Sequence, residues 1–134
     1  MEKDQTLKAL DLEEWNTILK KKSLEGVCQK NIIFSILKGV PTSVRKELWL
    51  ILADVEAMKQ QFRLDYYDLL QRTECDSKSI IEKDVPRTKV SENNREKLFN
   101  ILIAYSNIDP NGYTQGMNLI AGSILNILGE NAEL

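Results

Sequence analysis

The sequence predicts an all-α fold, an irregular domain built from several helices. Apolar residues recur three and four positions apart along most of the chain, which is the spacing of amphipathic helices. No stretch alternates apolar and polar residues for long enough to predict a strand, and no internal repeat or Pro/Gly/Ser-rich linker divides the chain. A chain of 134 residues fits one domain with one hydrophobic core.

The first three predicted helices have recognisable start and stop signals. Asp11 followed by Glu14 has the spacing of a capping box. Gly39 should end the second helix, because glycine readily adopts the left-handed conformation found after many helices. Pro41 lies at the start of the third helix, where its missing N–H costs little. The apolar positions are Leu12, Trp15, Ile18 and Leu19, then Ile32, Ile33, Ile36 and Leu37, then Val44, Leu48, Ile51 and Leu52.

The rest of the chain predicts four further helices. One short helix should end near Val85, because Pro86 disfavours helical geometry in the residue before it, and the chain should then leave as a loop. Ser91 is placed to cap a long helix, the segment 109–112 predicts a turn, and Gly129 should close the last helix. The apolar positions are Phe62, Tyr66, Leu69 and Leu70, then Ile80 and Ile81, then Leu98, Ile101, Leu102 and Tyr105, then Leu119, Ile120, Ile124, Ile127 and Leu128.

Composition excludes several classes of function. The 18 basic and 20 acidic side chains give a net charge of −2, which does not indicate nucleic-acid binding, and Lys20–Lys22 is expected to be a solvated helix end. The chain has no histidine, which excludes Ser-His-Asp catalysis, Cys-His catalysis and HExxH zinc sites. Cys28 and Cys75 are expected to be reduced intracellular thiols, too few for a structural zinc site. No apolar run reaches the ~18 residues of a membrane span, and the polar N-terminus does not resemble a secretory signal.

Two segments contain candidate functional residues that also have a purely structural interpretation. Arg45 and Trp49 are four positions apart on a predicted helix and share a face, where packing with a polar tether is the more frequent role. Arg87 follows Pro86 just beyond a predicted helix end, so its direction should be well defined. The structural alternative is a local ion pair with Asp84, which stabilises little if it is exposed.

A third segment joins a turn directly to the last helix. Gln115 should lie near the N-terminus of that helix, where backbone N–H groups and the helix dipole favour anions such as phosphate. Gly116 would allow another backbone to come close. The structural alternative is an ordinary helix cap beside an exposed glutamine.

Taken together and in this order, the segments resemble the TBC (Tre-2/Bub2/Cdc16) domain of Rab GTPase activators. The family's RxxxW, IxxDxxR and YxQG motifs are matched by Arg45 and Trp49, by Ile81, Asp84 and Arg87, and by Tyr113, Gln115 and Gly116. Each pattern alone is common, but the ordered set with its intervening helices is very specific. The resemblance covers residues 26–134, expected to be the N-terminal lobe of a partial domain that stops after the glutamine-finger helix. Residues 1–25 are expected to form a leading helix and N-terminal extension, with Trp15 in the core.

The resemblance implies a role for each matched residue. Arg87 would be a catalytic arginine finger, and Gln115 a second finger that replaces the water-positioning glutamine of the GTPase. Both groups suit phosphoryl transfer, because a guanidinium matches phosphate oxygens and an amide can both accept from water and donate. The chain would need no cofactor, would have no independent turnover, and would act on GTP and Mg²⁺ carried by the partner. The supporting residues would be Asp84, Tyr113, Gly116, Arg45 and Trp49.

The implied partner is a Rab-class small GTPase, and the implied location is cytoplasmic, at the periphery of endomembranes, with membrane contact only through the GTPase. One alternative is a catalytically silent scaffold or GTPase-binding module, which the presence of both fingers disfavours. Another is a generic helical domain, which would pair Arg87 with Asp84 and leave Gln115 far away. The sequence departs from the family at Lys89-Val90, where an aromatic residue and a proline are usual. Because the family's second lobe is missing, the last helix should expose an apolar face.

Overall fold

The computed structural model describes residues 6–63, 65–71 and 76–129, and it confirms the all-α prediction. The described residues contain helices, turns and one 3₁₀ turn, with no strand. None of the described helices is long and apolar enough to cross a membrane. The elements are α1 (Leu12–Lys21), α2 (Gln29–Lys38), α3 (Thr42–Leu52), α4 (Val55–Phe62), α5 (Tyr66–Gln71), α6 (Lys78–Asp84), the 3₁₀ turn (Val85–Arg87), α7 (Glu92–Ser106) and α8 (Met117–Leu128).

The chain divides into two compact units, Met1–Gln61 and Phe62–Leu134. Each unit has its own cluster of buried apolar side chains, whereas the sequence predicted a single core. The division falls at the end of α4, beyond which Arg63 has a φ of 44°. That left-handed residue also separates Phe62 from α5, so the expected common stripe of Phe62 with Tyr66 is divided between two helices.

The first unit is built on the packing of α1 against α3. Its buried core is Trp15, Ile18, Val44 and Leu48. The capping box is confirmed, since the Glu14 N–H donates to Asp11 Oδ1 and the Asp11 N–H donates to Glu14 Oε2, both at 2.9 Å. Leu12, which the spacing placed on the buried face, is the first residue of α1 and is 55% exposed.

The boundaries of α2 follow the predicted signals. Gly39 has a φ of 114° and ends the helix, with its N–H donating to the Ser35 and Ile36 carbonyls. Pro41 lies at the N-cap position directly before α3. Cys28, at the N-cap position of α2, is an exposed free thiol, and Cys75 lies outside the described residues.

The second unit is centred on α7, which packs against α5, α6 and α8. Pro86 does not produce the expected loop, because Val85 keeps helical dihedral angles and the chain tightens into the 3₁₀ turn. Ser91 is at the N-cap of α7 but makes no side-chain capping bond. The predicted turn at 109–112 and the helix end at Gly129 are confirmed. The buried core is Ile81, Val85, Leu98, Leu102, Ile103, Tyr113 and Leu125.

Helix α8 exposes part of its apolar surface, as expected. Leu119 is 60% exposed, Ile120 is 66% exposed and Ile124 is 38% exposed. Ile120 and Ile124 line an apolar groove between α7 and α8 together with Tyr105. The opposite face of α8, which contains Gly122 and Leu125, is buried within the second unit.

Candidate functional site

Arg87 is the last residue of the 3₁₀ turn that follows α6. Its Nη2 pairs with Asp84 Oδ1, and its Nε donates to the Lys83 carbonyl at 3.1 Å. The arginine side chain is nevertheless 67% exposed. The turn therefore fixes where the side chain leaves the backbone, while most of the guanidinium surface faces solvent.

Asp84 links Arg87 to the segment that contains Tyr113, Gln115 and Gly116. The carboxylate is buried, and its second oxygen, Oδ2, accepts a 2.7 Å hydrogen bond from the Tyr113 hydroxyl. The Tyr113 N–H in turn donates to Ser77 Oγ at 3.1 Å, just before α6. Because Tyr113 is 29 positions from Asp84 in sequence, these bonds tie two of the three motifs together.

Asp84, Thr88, Tyr113 and Asn118 form what we call the buried polar cluster. Asn118 Nδ2 donates to Thr88 Oγ1 at 2.8 Å, and the Thr88 hydroxyl donates to the Asp84 carbonyl at 2.8 Å. Asn118 Oδ1 accepts from the Gly116 N–H at 3.2 Å and lies 3.1 Å from the Tyr113 hydroxyl oxygen. Buried polar groups are costly unless they are hydrogen-bonded. Because the residues of the cluster supply hydrogen-bond partners to one another, one arrangement of their side chains is favoured.

The cluster sets the protonation of two of its members. The hydrogen bond from Tyr113 lowers the pKa of Asp84, with Arg87 acting in the same direction and burial opposing both. Burial raises the pKa of Tyr113 well above its usual range, and the bond to Asp84 adds to the effect. At neutral pH the carboxylate is therefore charged and the phenol keeps the proton that it donates.

Gln115 is exposed and lies two residues before α8, so the helix starts slightly later than the sequence predicted. Gly116 occupies the N-cap position with a φ of 104°. A Cβ at Gly116 would meet no atom of the described chain within 4 Å. Within this chain, the positive φ rather than a close backbone approach is what favours glycine there.

Arg87 and Gln115 open onto the same surface depression, of about 480 Å³. The generic helical-domain alternative expected an Arg87–Asp84 ion pair together with a distant Gln115. The structure has the ion pair, but it places the glutamine on the same depression. The depression is lined by Asp84, Arg87, Gln115, Gly116, Asn118 and Leu119.

Arg45 and Trp49 lie in the first unit, on α3. Arg45 Nη2 donates to the Val40 carbonyl at 3.0 Å, which tethers the helix to the segment before it. Trp49 is 39% exposed. Neither side chain takes part in the hydrogen bonds described above for the second unit. Their expected supporting role stays a prediction.

Two residues of the site, Thr88 and Asn118, were not among the predicted site residues. Both are buried, and both bond across about 30 positions of sequence. A signal existed for Asn118, since it is one of few polar residues in the strongly apolar α8. No comparable signal marks Thr88, because its importance arises from a contact between segments distant in sequence. Within the described ranges, no three His, Cys, Asp or Glu residues are grouped in a way that could hold a metal ion.

The model of the Rab-GTPase-TBC domain family matches residues 42–133. The chain belongs to the TBC domain family. The predicted boundary between residues 25 and 26 stays a prediction.

Three known proteins have sequences similar to that of this TBC chain. It is 35% identical over 98 residues to GTPase-activating protein GYP5 of Saccharomyces cerevisiae, which covers 72% of the chain and 11% of that protein. It is 28% identical over 137 residues to GTPase-activating protein GYP5 of Eremothecium gossypii, covering 98% of the chain and 16% of that protein.

The third relative is human. The TBC chain is 30% identical over 109 residues to Growth hormone-regulated TBC protein 1 of Homo sapiens, covering 73% of the chain and 32% of that protein. The chain thus spans no more than about a third of each of these relatives. No solved structure matches it.

Proposed function

We propose that this chain accelerates GTP hydrolysis by a Rab-class small GTPase, supplying Arg87 and Gln115 in trans to the partner's active site. Membership of the TBC family and similarity to proteins named as GTPase activators support the general role. The observation that carries the assignment of residues is the shared depression, onto which both exposed side chains open. One bound nucleotide could therefore contact both groups.

GTP hydrolysis requires little covalent chemistry from an activator protein. The protein positions groups and stabilises charge on the transferring phosphoryl group. A guanidinium is always charged and presents a planar set of donors to phosphate oxygens. On binding, Arg87 would exchange Asp84 for phosphate oxygens of the nucleotide, and the buried Asp84 carboxylate would keep its bond from Tyr113. The Gln115 amide would accept from the attacking water and donate to a phosphate oxygen.

The remaining parts of the reaction belong to the partner in this proposal. GTP and Mg²⁺ would be carried by the GTPase, and this chain would need no cofactor and have no turnover of its own. Asp84, Tyr113 and Gly116 would hold the two fingers in place, and Arg45 and Trp49 would stabilise the first unit. The chain would work in the cytoplasm at the periphery of endomembranes and meet the membrane only through its GTPase.

Single-turnover GTP hydrolysis by a panel of Rab-class GTPases tests this proposal. We expect acceleration of at least one member, and Arg87→Ala should reduce it by about a thousandfold or more. Gln115→Ala should reduce it by about a hundredfold or more, because one positioned polar group is lost. Lys78→Ala is the matched control, since it removes an exposed cation from α6 outside the depression. Equal activity of Arg87→Ala and wild type would overturn the assignment.

A second candidate is a module that binds a GTPase without activating it. The observation that favours it is the Arg87–Asp84 ion pair, which engages the guanidinium in the isolated chain. Calorimetric titration of the same GTPase panel separates the two functions. Binding of a GTP-loaded member with no acceleration of hydrolysis would support the silent module and contradict the activator.

A further inference from the structure

We propose that Gly122 and Asn126, two residues of α8 outside the three motifs, are positioning residues for Arg87. They hold the backbone segment 88–90, which directly follows the arginine. The inference rests on the proposed function for its effect on hydrolysis, whereas the contact itself can be tested without a GTPase.

Gly122 allows α8 to approach this segment closely. A Cβ at position 122 would lie 2.7 Å from Thr88 Cγ2 and 3.2 Å from Val90 Cγ1. The first separation is shorter than carbon atoms tolerate without bonding, so a side chain at 122 would displace the segment. Gly122 lies in the middle of the helix and its φ is not positive. Its lack of a side chain therefore serves packing and not an unusual backbone conformation.

Asn126 holds the same segment one helical turn further along. Its Nδ2 donates to the Lys89 carbonyl at 2.8 Å, a bond between residues 37 positions apart in sequence. One turn before Gly122, Asn118 Nδ2 donates to Thr88 Oγ1. The three residues are spaced by four positions and therefore share one face of the helix. We call this face the clamp face; it consists of Asn118, Gly122 and Asn126.

The clamp face couples the positions of the two proposed fingers, Arg87 and Gln115. On one side of the segment, the Thr88 N–H donates to the Val85 carbonyl at 3.1 Å and closes the 3₁₀ turn that carries Arg87. On the other side, α8 holds Thr88 and Lys89, and the same helix begins two residues after Gln115. The separation of Arg87 and Gln115 therefore depends on how closely α8 meets this segment, in addition to the bond between Tyr113 and Asp84.

Neither Gly122 nor Asn126 is a residue type that stabilises the interior of a helix. Glycine inside a helix is less favourable than alanine because it loses more backbone freedom on folding. Asparagine is also a poor residue for a helix interior, since its side chain competes for backbone hydrogen bonds. Both choices become understandable once the contact with segment 88–90 is considered, because that contact needs no side chain at 122 and a donor at 126.

The first test adds a methyl group at position 122 and then removes the Thr88 methyl group that it would contact. Gly122→Ala should lower the plateau rate of single-turnover hydrolysis by about tenfold, because small misplacements of a catalytic group are costly. The activator concentration at half saturation should stay unchanged, since the exposed surface is intact. Thr88→Ser removes Cγ2 and keeps the hydroxyl, so the double variant should recover much of the rate relative to Gly122→Ala alone. A double variant no faster than the single variant would overturn the packing argument.

The second test removes the donor. Asn126→Ala should lower the plateau rate by a few-fold to about tenfold with an unchanged half-saturating concentration. Ser123→Ala is the matched control, because Ser123 is also exposed on α8 but bonds only within the helix, to the Leu119 carbonyl. Equal plateau rates for Asn126→Ala and Ser123→Ala would contradict the positioning role.

Hydrogen exchange provides the readout that needs no GTPase. The amides of Thr88 and Val90, which donate to the Val85 and Thr88 carbonyls, should exchange faster in Gly122→Ala and Asn126→Ala. Unchanged exchange at both amides would overturn the clamp. If the wild-type chain activates no GTPase, the proposed function fails, while the exchange result still decides whether α8 holds this segment. If the wild type is active and the two variants match its plateau rate, the positioning inference fails and the proposed function stands.

Discussion

The two compact units bury different kinds of side chain. In the first unit, α1 and α3 meet through an apolar core of Trp15, Ile18, Val44 and Leu48. Among the described residues of that unit, the buried polar side chain is Ser35, which accepts from the Leu10 N–H at 2.7 Å and donates to a carbonyl of its own helix. The second unit adds to its apolar core the buried Asp84, Thr88 and Asn118.

The two units therefore hold their geometry in different ways. Apolar packing stabilises an arrangement but tolerates small adjustments, because dispersion contacts have no direction. A buried hydrogen-bonded cluster is demanding, since each group left without a partner costs free energy. In the second unit these hydrogen bonds lie beside Arg87 and Gln115, where a small displacement would matter most for the proposed activity. The first unit is therefore held mainly by apolar packing, whereas buried hydrogen bonds also define the positions of side chains in the second unit.

The largest expected effect tests the apolar side of the comparison. Trp15 is 1% exposed, and Trp15→Ala should lower the free energy of unfolding of the first unit by about 3–5 kcal/mol, from lost burial and a large cavity. Hydrogen exchange of the α1 and α3 amides measures it. Trp49→Ala is the matched control, because this tryptophan is 39% exposed and should cost clearly less. Equal losses for the two tryptophans would contradict the proposed core.

A smaller effect is expected for one substitution made in both units. Thr88→Val keeps the shape but leaves Asn118 Nδ2 and the Asp84 carbonyl without their partner, which should cost about 1–3 kcal/mol. Thr17→Val removes an exposed hydroxyl that bonds only to the Glu13 carbonyl, and it should change stability by less than about 0.5 kcal/mol. Denaturant unfolding of both variants measures the contrast. A Thr88→Val variant as stable as Thr17→Val would show that the buried polar cluster contributes nothing.

The smallest predicted effect is a pH dependence of the second unit. Because the pKa of Asp84 is lowered in the folded state, its contribution to stability is fully present above the unfolded pKa of about 3.9. It is lost as pH falls from there through the lower folded value. Unfolding between about pH 6 and pH 2 should therefore depend less on pH in Asp84→Asn than in wild type. Identical pH profiles for the two proteins would contradict the lowered pKa.

At high pH the sign is reversed for Tyr113. Its pKa is raised by burial, so the folded state keeps a proton that the unfolded chain loses above about pH 10. The stability from this group is therefore present below that pH and declines above it. Tyr113→Phe should lose part of this decline, although the wild type is the more stable protein at neutral pH.

Much of the fold was predictable because its signals are local. The capping box of α1 joins Asp11 to Glu14, three positions away, and the end of α2 at Gly39 depends on carbonyls three and four positions earlier. These interactions close within one helical turn, so the sequence alone specifies them. The 3₁₀ turn around Pro86 was missed because the preference of the preceding residue is weak, and packing in the second unit retained helical angles at Val85.

The candidate site divides in the same way. From the sequence alone, Arg87 was expected to follow a stiff helix exit and Gln115 to precede a helix, and the family motifs indicated both residues. It could not reveal the bond between Tyr113 and Asp84, nor the contact of Gly122 with Thr88. Such contacts join residues about 30 positions apart, and no periodicity or spacing encodes which distant partner a buried group will find. Only the packing of α8 against segment 88–90 decides that, because the tertiary structure alone determines which polar groups are removed from water together.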